Sequence, residues 1–239
     1  MLPIPLRAGR YLGVALLLAG TSCSRAQESA SPLPAGVKAG AWTDLLNGSA
    51  ASWRGYKVDS LPSGWRYDAA AGTLTRERPA GDIVSRAEYT DFELELEWRV
   101  GPKGNAGVFY HATEATDVIY ENAPEMQILD NGGHNDGKNP LTSAGSNYAL
   151  NAPSADVTRP VGEWNRARIV ILGPHVEHWL NGTKVVEYEL WSPAWVESVK
   201  KSKFDQWPTY GLARRGHIGL QDHGDIVNFR HIRIRELTR

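Results

Sequence analysis

Residues 92–100, FELELEWRV, constrain the fold more than any other stretch of this chain. Phe92, Leu94, Leu96, Trp98 and Val100 fall on one side of an extended backbone, and Glu93, Glu95, Glu97 and Arg99 on the other. Strict alternation over that length predicts an antiparallel strand with one face on a core. Shorter stretches repeat the pattern at 104–112, 124–130, 167–173, 176–190 and 226–237. Asn181-Gly182, set between two apolar runs, predicts a tight hairpin, because a type I′ turn needs positive φ at both central residues. One helix is expected over 195–204, with Ser192 as its cap and Pro193 in its first turn; Val196, Val199 and Phe204 give it an apolar side, and Lys200, Lys201 and Lys203 lie near its end. Many short strands with turn residues between them, one helix and no internal repeat predict an all-β fold. The class is a jelly-roll β-sandwich of two antiparallel sheets in a single domain over 41–239.

Strand parity then sorts the polar groups. On 125–129, Met126 and Ile128 point to the core, which leaves Glu125 and Gln127 on the outer face of their sheet. Asp130 follows core parity and reaches a cleft only if the strand ends or bulges there, which Asn131-Gly132-Gly133 permits. Asn105 shares a face with Gly107, Phe109 and His111, and His178 sits on a mostly apolar face. QDHGD at 221–225 places Gln221, Asp222, His223 and Asp225 in one loop; taken alone, such a cluster is also ordinary turn chemistry.

Composition narrows the function classes. The net charge is −1 with Lys and Arg scattered, which argues against a nucleic-acid footprint. Nine Trp and nine Tyr against four Phe suit either sandwich cores or stacking on sugar rings. No HExxH, CxxC pair, Walker loop or GxSxG occurs. Carboxylate, histidine and amide chemistry remains, with a divalent cation as an expected companion.

The N-terminal segment is read apart from the fold. MLPIPLRAGR supplies two arginines and YLGVALLLAG a short apolar run, so residues 1–22 are expected to be a signal peptide. Cys23, the only cysteine, follows small residues and resembles the lipidated residue of a bacterial lipoprotein, although Gly20 stands where that pattern usually has Leu. Residues 23–40 are small, polar and Pro/Gly-containing, and predict a flexible tether. The expected location is therefore exported and lipid-anchored in the cell envelope, with the lipid as the only membrane contact.

WTDLLNGSAASWRGY (42–56), NAGVFYH (105–111), PEMQILDN (124–131), VGEWNRARI (161–169), HWLNGTKV (178–185), SKFDQWPTYG (202–211) and GHIGLQDHGDIVNFRHIRIREL (216–237) occur in one order. In that order they resemble the 3-keto-disaccharide hydrolase domain family, whose activities include 3-keto-glucoside 1,2-lyase and 3-keto-2-hydroxyglucal hydratase. The resemblance runs from Trp42 to Leu237 and implies a concanavalin-like jelly roll acting on oxidised glycosides. It implies catalytic roles for Glu125, His134, His223 and Tyr148, and sugar contacts by Asn105, Gln127, His178 and Gln221. It also implies a divalent-cation set drawn from Glu125, Asp130, Asp222 and His223. Ala149 departs from the family, which often has Asp after the tyrosine.

Two other classes stay open on sequence. A non-catalytic sugar-binding module would use Trp179, Trp191 and Trp207 as platforms on the same sandwich. A conventional glycosidase is suggested by Glu125-x-Gln127-x-x-Asp130, which resembles the Glu-x-Asp-x-x-Glu strand of jelly-roll retaining enzymes, with an amide in the middle and Asp at the end.

Overall fold

A computed structural model of the chain describes residue 33 and residues 35–239. The leader read at 1–22, Cys23 and most of the tether lie outside the described residues. The strands in chain order are β1 (Lys38–Ala39), β2 (Thr43–Asp44), β3 (Trp53–Gly55), β4 (Trp65–Asp68), β5 (Thr73–Arg76), β6 (Ile83–Tyr89) and β7 (Phe92–Val100). They continue with β8 (Asn105–Ala112), β9 (Glu125–Leu129), β10 (Asn165–Leu172), β11 (His175–Leu180), β12 (Thr183–Glu189), β13 (Gly216–Leu220) and β14 (Val227–Thr238). Among the described residues one α-helix, α1 (Pro193–Lys200), separates β12 from β13.

These strands form the jelly-roll sandwich expected, two antiparallel sheets around one core. The larger runs β12-β11-β10-β7-β14-β5-β4, with β1 and β2 also paired to β14, and the smaller runs β3-β6-β13-β8-β9. The pairing of Lys38 with Thr238 and Ala39 with Leu237 takes the sheet ahead of the boundary read at residue 41. The alternation of β7 holds: Phe92, Leu94, Leu96, Trp98 and Val100 are all core residues. On its other face Glu93 and Glu95 are buried too, and Glu97 and Arg99 half-buried. Arg168 and Arg235 close on Glu93, at 2.5 Å each, and Arg166 and Arg233 close on Glu95 at 2.8 and 2.6 Å. Long arginine side chains from the two flanking strands lie over the glutamates and cover them, as amphipathic stems do. At the β11–β12 turn, Asn181 and Gly182 have φ of 48° and 84°, the two positive values that the hairpin required.

The helix is shorter than its expected span. Ser192 Oγ accepts from the Trp195 amide at 3.1 Å and caps it, with Pro193 in the first turn. The chain then breaks, and Ser202 caps a separate 3-10 turn, Lys203–Gln206, accepting from Phe204 at 3.1 Å. That second cap takes Lys203 out of the helix and re-aims it.

The smaller sheet positions the site. Its inner face, with Ala106, Val108, Tyr110, Met126, Ile128, Ile218 and Leu220, packs into the core. Its outer face follows from register: Gly107 pairs with Gln127 and Phe109 with Glu125, while Gly219 pairs with both Phe109 and Val84. Just past the end of β13, Gln221 donates its amide to the Gly107 carbonyl at 3.0 Å, with Leu220 paired to Ile83 just before it. Asp82, Gln221, Gly107 and Gln127 thus form one row across four strands.

Candidate active site

Glu125 is the floor of the site. It leaves β9 on the outer face, is 5% exposed, and lies over Gly107: a Cβ added at that glycine would stand 2.1 Å from Glu125 Oε1 and 2.7 Å from its Cδ. Only a residue without a side chain lets the carboxyl fold flat across β8 toward Gln221 and Asp82. Burial is the main cause that pushes the Glu125 carboxyl up from 4.5 to about 8; Lys203 opposes the rise, and Asp82 and Asp136 add to it.

Three segments bring groups to this floor. Residues 143–147 run beside β9, and the Tyr148 amide donates to the Glu125 carbonyl at 3.0 Å, fixing Tyr148 next to the carboxyl. The Tyr148 hydroxyl donates to Asp136 Oδ2 at 3.4 Å. Burial, then Asp136 and Glu125, push that phenol up to about 12, so it stays protonated and able to donate. The 3-10 turn after α1 sets the Lys203 ammonium 4.3 Å from the centroid of the Tyr148 ring. Desolvation lowers the Lys203 pKa against the pull of Glu125 and Asp136. On the other side of Glu125, burial raises Asp82 to about 6, with the Asp222 amide donating to it at 2.8 Å.

The buried amide oxygens Asn105 Oδ1 and Gln221 Oε1, both on this side, have no hydrogen-bond partner among the described residues. Buried acceptors are normally satisfied, so two such oxygens on one face can receive donors from a ligand or from water.

The residues expected from sequence separate into three groups. Glu125, Tyr148, Asn105 and Gln221 come to this face. His134 and His223 meet each other edge to face, with ring centroids 6.3 Å apart, where two loops converge. His134 Nδ1 accepts from the Asp136 amide at 3.1 Å, which leaves Nε2 as the nitrogen free to act. The rest are corrected. His178 is wholly buried between the sheets, held by the Tyr110 hydroxyl at 3.0 Å and the Gly145 carbonyl at 3.1 Å, and burial drives it down to about 4. It is a neutral core histidine and not a sugar contact. Gln127 shares the face of Glu125, but its amide is committed to the Thr142 carbonyl and the Ile128 amide.

Asp130 lies one residue past the end of β9 and accepts from the Lys103 and Gly133 amides at 2.8 and 3.1 Å, so it organises its own loop. Asp222 pairs with buried Arg76 at 2.5 Å and accepts from Ala80, Gly81 and Gly224. The expected cation set therefore does not assemble. Among the described residues, the one trio of His and carboxylate side chains with ligand atoms within 4.8 Å of one another is His175, Glu177 and Glu187, on β11 and β12 of the other sheet. That trio could hold a cation, but Lys184 already reaches Glu177 and Glu187 at 3.2 and 2.6 Å.

Sequence reasoning missed Asp82, Lys203 and Gly107. Asp82 had a usable signal, because it precedes an apolar strand on outer-face parity. Lys203 looked like a helix-end charge, and nothing local tells a re-aimed lysine from a solvated one. Of the tryptophans considered as sugar platforms, Trp179 lies on the larger sheet beneath Arg168. Trp191 and Trp207 line a separate aromatic cavity of about 440 Å³ with Trp195, Phe204 and Tyr210.

Comparison with known proteins gives a consistent result. Residues 41–235 match the profile of the 3-keto-alpha-glucoside-1,2-lyase-like domain. The chain is 36% identical over 215 residues to a 3-keto-disaccharide hydrolase of Bacteroides thetaiotaomicron, spanning 77% of this chain and 74% of that one. A crystal structure from Parabacteroides distasonis, described as a candidate glycosyl hydrolase, superposes with a TM-score of 0.75 at 29% identity, over 82% of this chain and 93% of that one. A second from the same organism gives 0.66 at 29%, over 82% and 100%.

Proposed function

The chain belongs to the 3-keto-alpha-glucoside-1,2-lyase-like family, and we propose that it cleaves 3-keto-glycosides through removal of the proton on C2. The observation that carries this reading is Glu125, buried over Gly107 with its carboxyl pushed up to about 8.

A ketone at C3 acidifies the C2–H bond, yet the acid remains weak. A carboxylate of ordinary pKa is poorly matched to it, and a base poised near neutrality does better. Burial supplies that match at Glu125. Once the C2 proton is gone, the substituent on C1 departs, and water adds to the resulting glycal to complete a net hydrolysis. Tyr148, protonated and adjoining Glu125, would turn its hydroxyl from Asp136 to donate to the departing oxygen. Asn105 and Gln221 offer acceptors to the remaining hydroxyls. The paired rings of His134 and His223 are candidates for activating the water.

Asp82 favours a second reading. It stands two strands from Gly107 in the same row, roughly 10 Å at the usual strand spacing. Two carboxyls on one face, raised to about 8 and about 6, also offer the acid and the base that an inverting glycosidase acting on an unoxidised sugar needs. Incubation of the protein with a 3-keto-glucoside and with its unoxidised parent separates the two. Turnover of the keto sugar alone, lost in Glu125→Gln, supports the proposal, whereas turnover of the parent supports direct hydrolysis. Repeating the assay with chelator tests for a divalent cation.

Export with a lipid on Cys23 is proposed alongside. Fractionation should find the protein with membranes and find Cys23→Ala released from them; equal partitioning of the two would contradict the anchor.

A further inference from the structure

Proton removal from C2 leaves the electron pair on the C3 oxygen, and the reaction needs a group to receive that charge. From the geometry around Glu125 we propose that Lys203 is this group, its ammonium contacting the C3 oxygen as a catalytic residue. This inference rests on the reading of the site as a 3-keto-glycoside site.

Placement supports it first. Ser202 ends the helical run and begins the Lys203–Gln206 turn, which carries Lys203 over the Tyr148 ring at 4.3 Å. Tyr148 in turn is hydrogen-bonded through its backbone to Glu125. The ammonium therefore hangs beside the base, on the side of Glu125 away from the orphan acceptors of Asn105 and Gln221. A bound ring is met by acceptors at one end and by a cation at the other. The acceptors suit hydroxyls, and the cation suits the one ring position that is already oxidised to a carbonyl and can only accept.

Availability supports it next. Lys203 makes no ion pair with a carboxylate among the described residues, and its ammonium lies over the faces of Tyr148 and Phe204, at 4.3 and 5.3 Å. A cation on an aromatic face keeps its N–H donors free. Arg76, Arg166, Arg168 and Arg233, by contrast, are each engaged by a carboxylate. Asp136 and Glu125, the two acids that act on the ammonium electrostatically, hold it near the cleft without closing on it.

The step balances on these groups. The C2–H bond breaks and its proton passes to the Glu125 carboxylate. Its electron pair forms the C2–C3 double bond, and the C3–O π pair moves onto oxygen beside Lys203. When that pair returns to re-form the ketone, the C1–C2 double bond forms and the C1–O bond breaks, the departing oxygen taking a proton.

Lys203 as a whole residue is exposed although its ammonium end is partly desolvated, so its replacement by Met keeps the stem on the Tyr148 and Phe204 rings and removes only the charge. Steady-state kinetics of Lys203→Met and Lys203→Arg on a 3-keto-glucoside, together with exchange of the C2 proton in deuterated water followed by NMR, test the assignment. Removing one donor to a developing oxyanion costs about 10²–10³-fold in kcat. Lys203→Met should show that loss in both kcat and exchange with KM nearly unchanged, and Lys203→Arg should recover part of it. A kcat within about threefold of wild type, or an effect confined to KM, overturns the role of Lys203. If the unaltered protein neither turns over the keto sugar nor exchanges its C2 proton, the underlying reading fails as well, and the lysine's role falls with it.

Discussion

Glu125→Gln should make the protein more stable at alkaline pH while removing its activity. The folded state holds the Glu125 proton up to about 8, whereas the unfolded chain releases it near 4.5. The contribution of Glu125 to stability is therefore complete below about 4.5 and is lost progressively as pH rises through 8. At about 1.36 kcal/mol per unit, that separation amounts to ~5 kcal/mol. Glutamine keeps the shape and cannot ionise, so the variant lacks this loss. Its advantage over wild type should be small at pH 4.5 and should grow to several kcal/mol by pH 9. For a chain of this length that is a difference in Tm on the order of 10 °C. Asp82, raised to about 6, falls in the same direction but is common to both proteins and cancels in the comparison. Thermal unfolding of both proteins in steps from pH 4.5 to 9 measures the difference directly. If the two curves stay parallel within ~1 kcal/mol across that range, the Glu125 carboxyl is not held protonated by burial, and the argument for a poised base fails.

Three other perturbations probe separate parts of the account. Gly107→Ala puts a methyl where the Glu125 carboxyl lies, and should cost about 10²-fold in kcat/KM, read in the same turnover assay, by displacing the base. Its stability should fall by only ~1–3 kcal/mol in urea unfolding. Asp222→Asn leaves Arg76 with an uncompensated charge in a site where the two side chains are 6% and 2% exposed. It should destabilise by about 3–5 kcal/mol in denaturant titration, whereas a metal ligand would instead change cation dependence. His178, buried and neutral down to about 4, stabilises the fold above 6.5 and loses that contribution as pH falls through 4. A His178→Gln variant should accordingly show a shallower loss of stability between pH 6.5 and 4, followed by circular dichroism.

The fold was legible because period two is a local signal. Phe92 to Val100 name their own core face, Asn181-Gly182 names its own turn, and Ser192-Pro193 names the start of the helix. The floor of the site was legible for the same reason, since Met126 and Ile128 fix the parity that turns Glu125 outward. What failed depended on partners distant in sequence. Asp222 looks like a ligand until Arg76 arrives from β5, and His178 like a sugar contact until Tyr110 closes over it from the other sheet. Lys203 could not be placed without the Ser202 cap that breaks the helix before it. Gly107 carries no chemistry of its own, and its meaning appears only when β9 lays a glutamate across it.

The central claim is that the glycosidic bond breaks after C2 loses a proton. Turnover of a 3-keto-glucoside in deuterated water, with the released 3-keto sugar analysed at its earliest detectable amount against a free-sugar control for spontaneous exchange, tests it most directly. Elimination followed by hydration returns a solvent deuteron to C2, so the account predicts one deuterium there in the first product formed. Product that carries none at C2, released at the same rate, would mean direct displacement at C1 and would contradict the account.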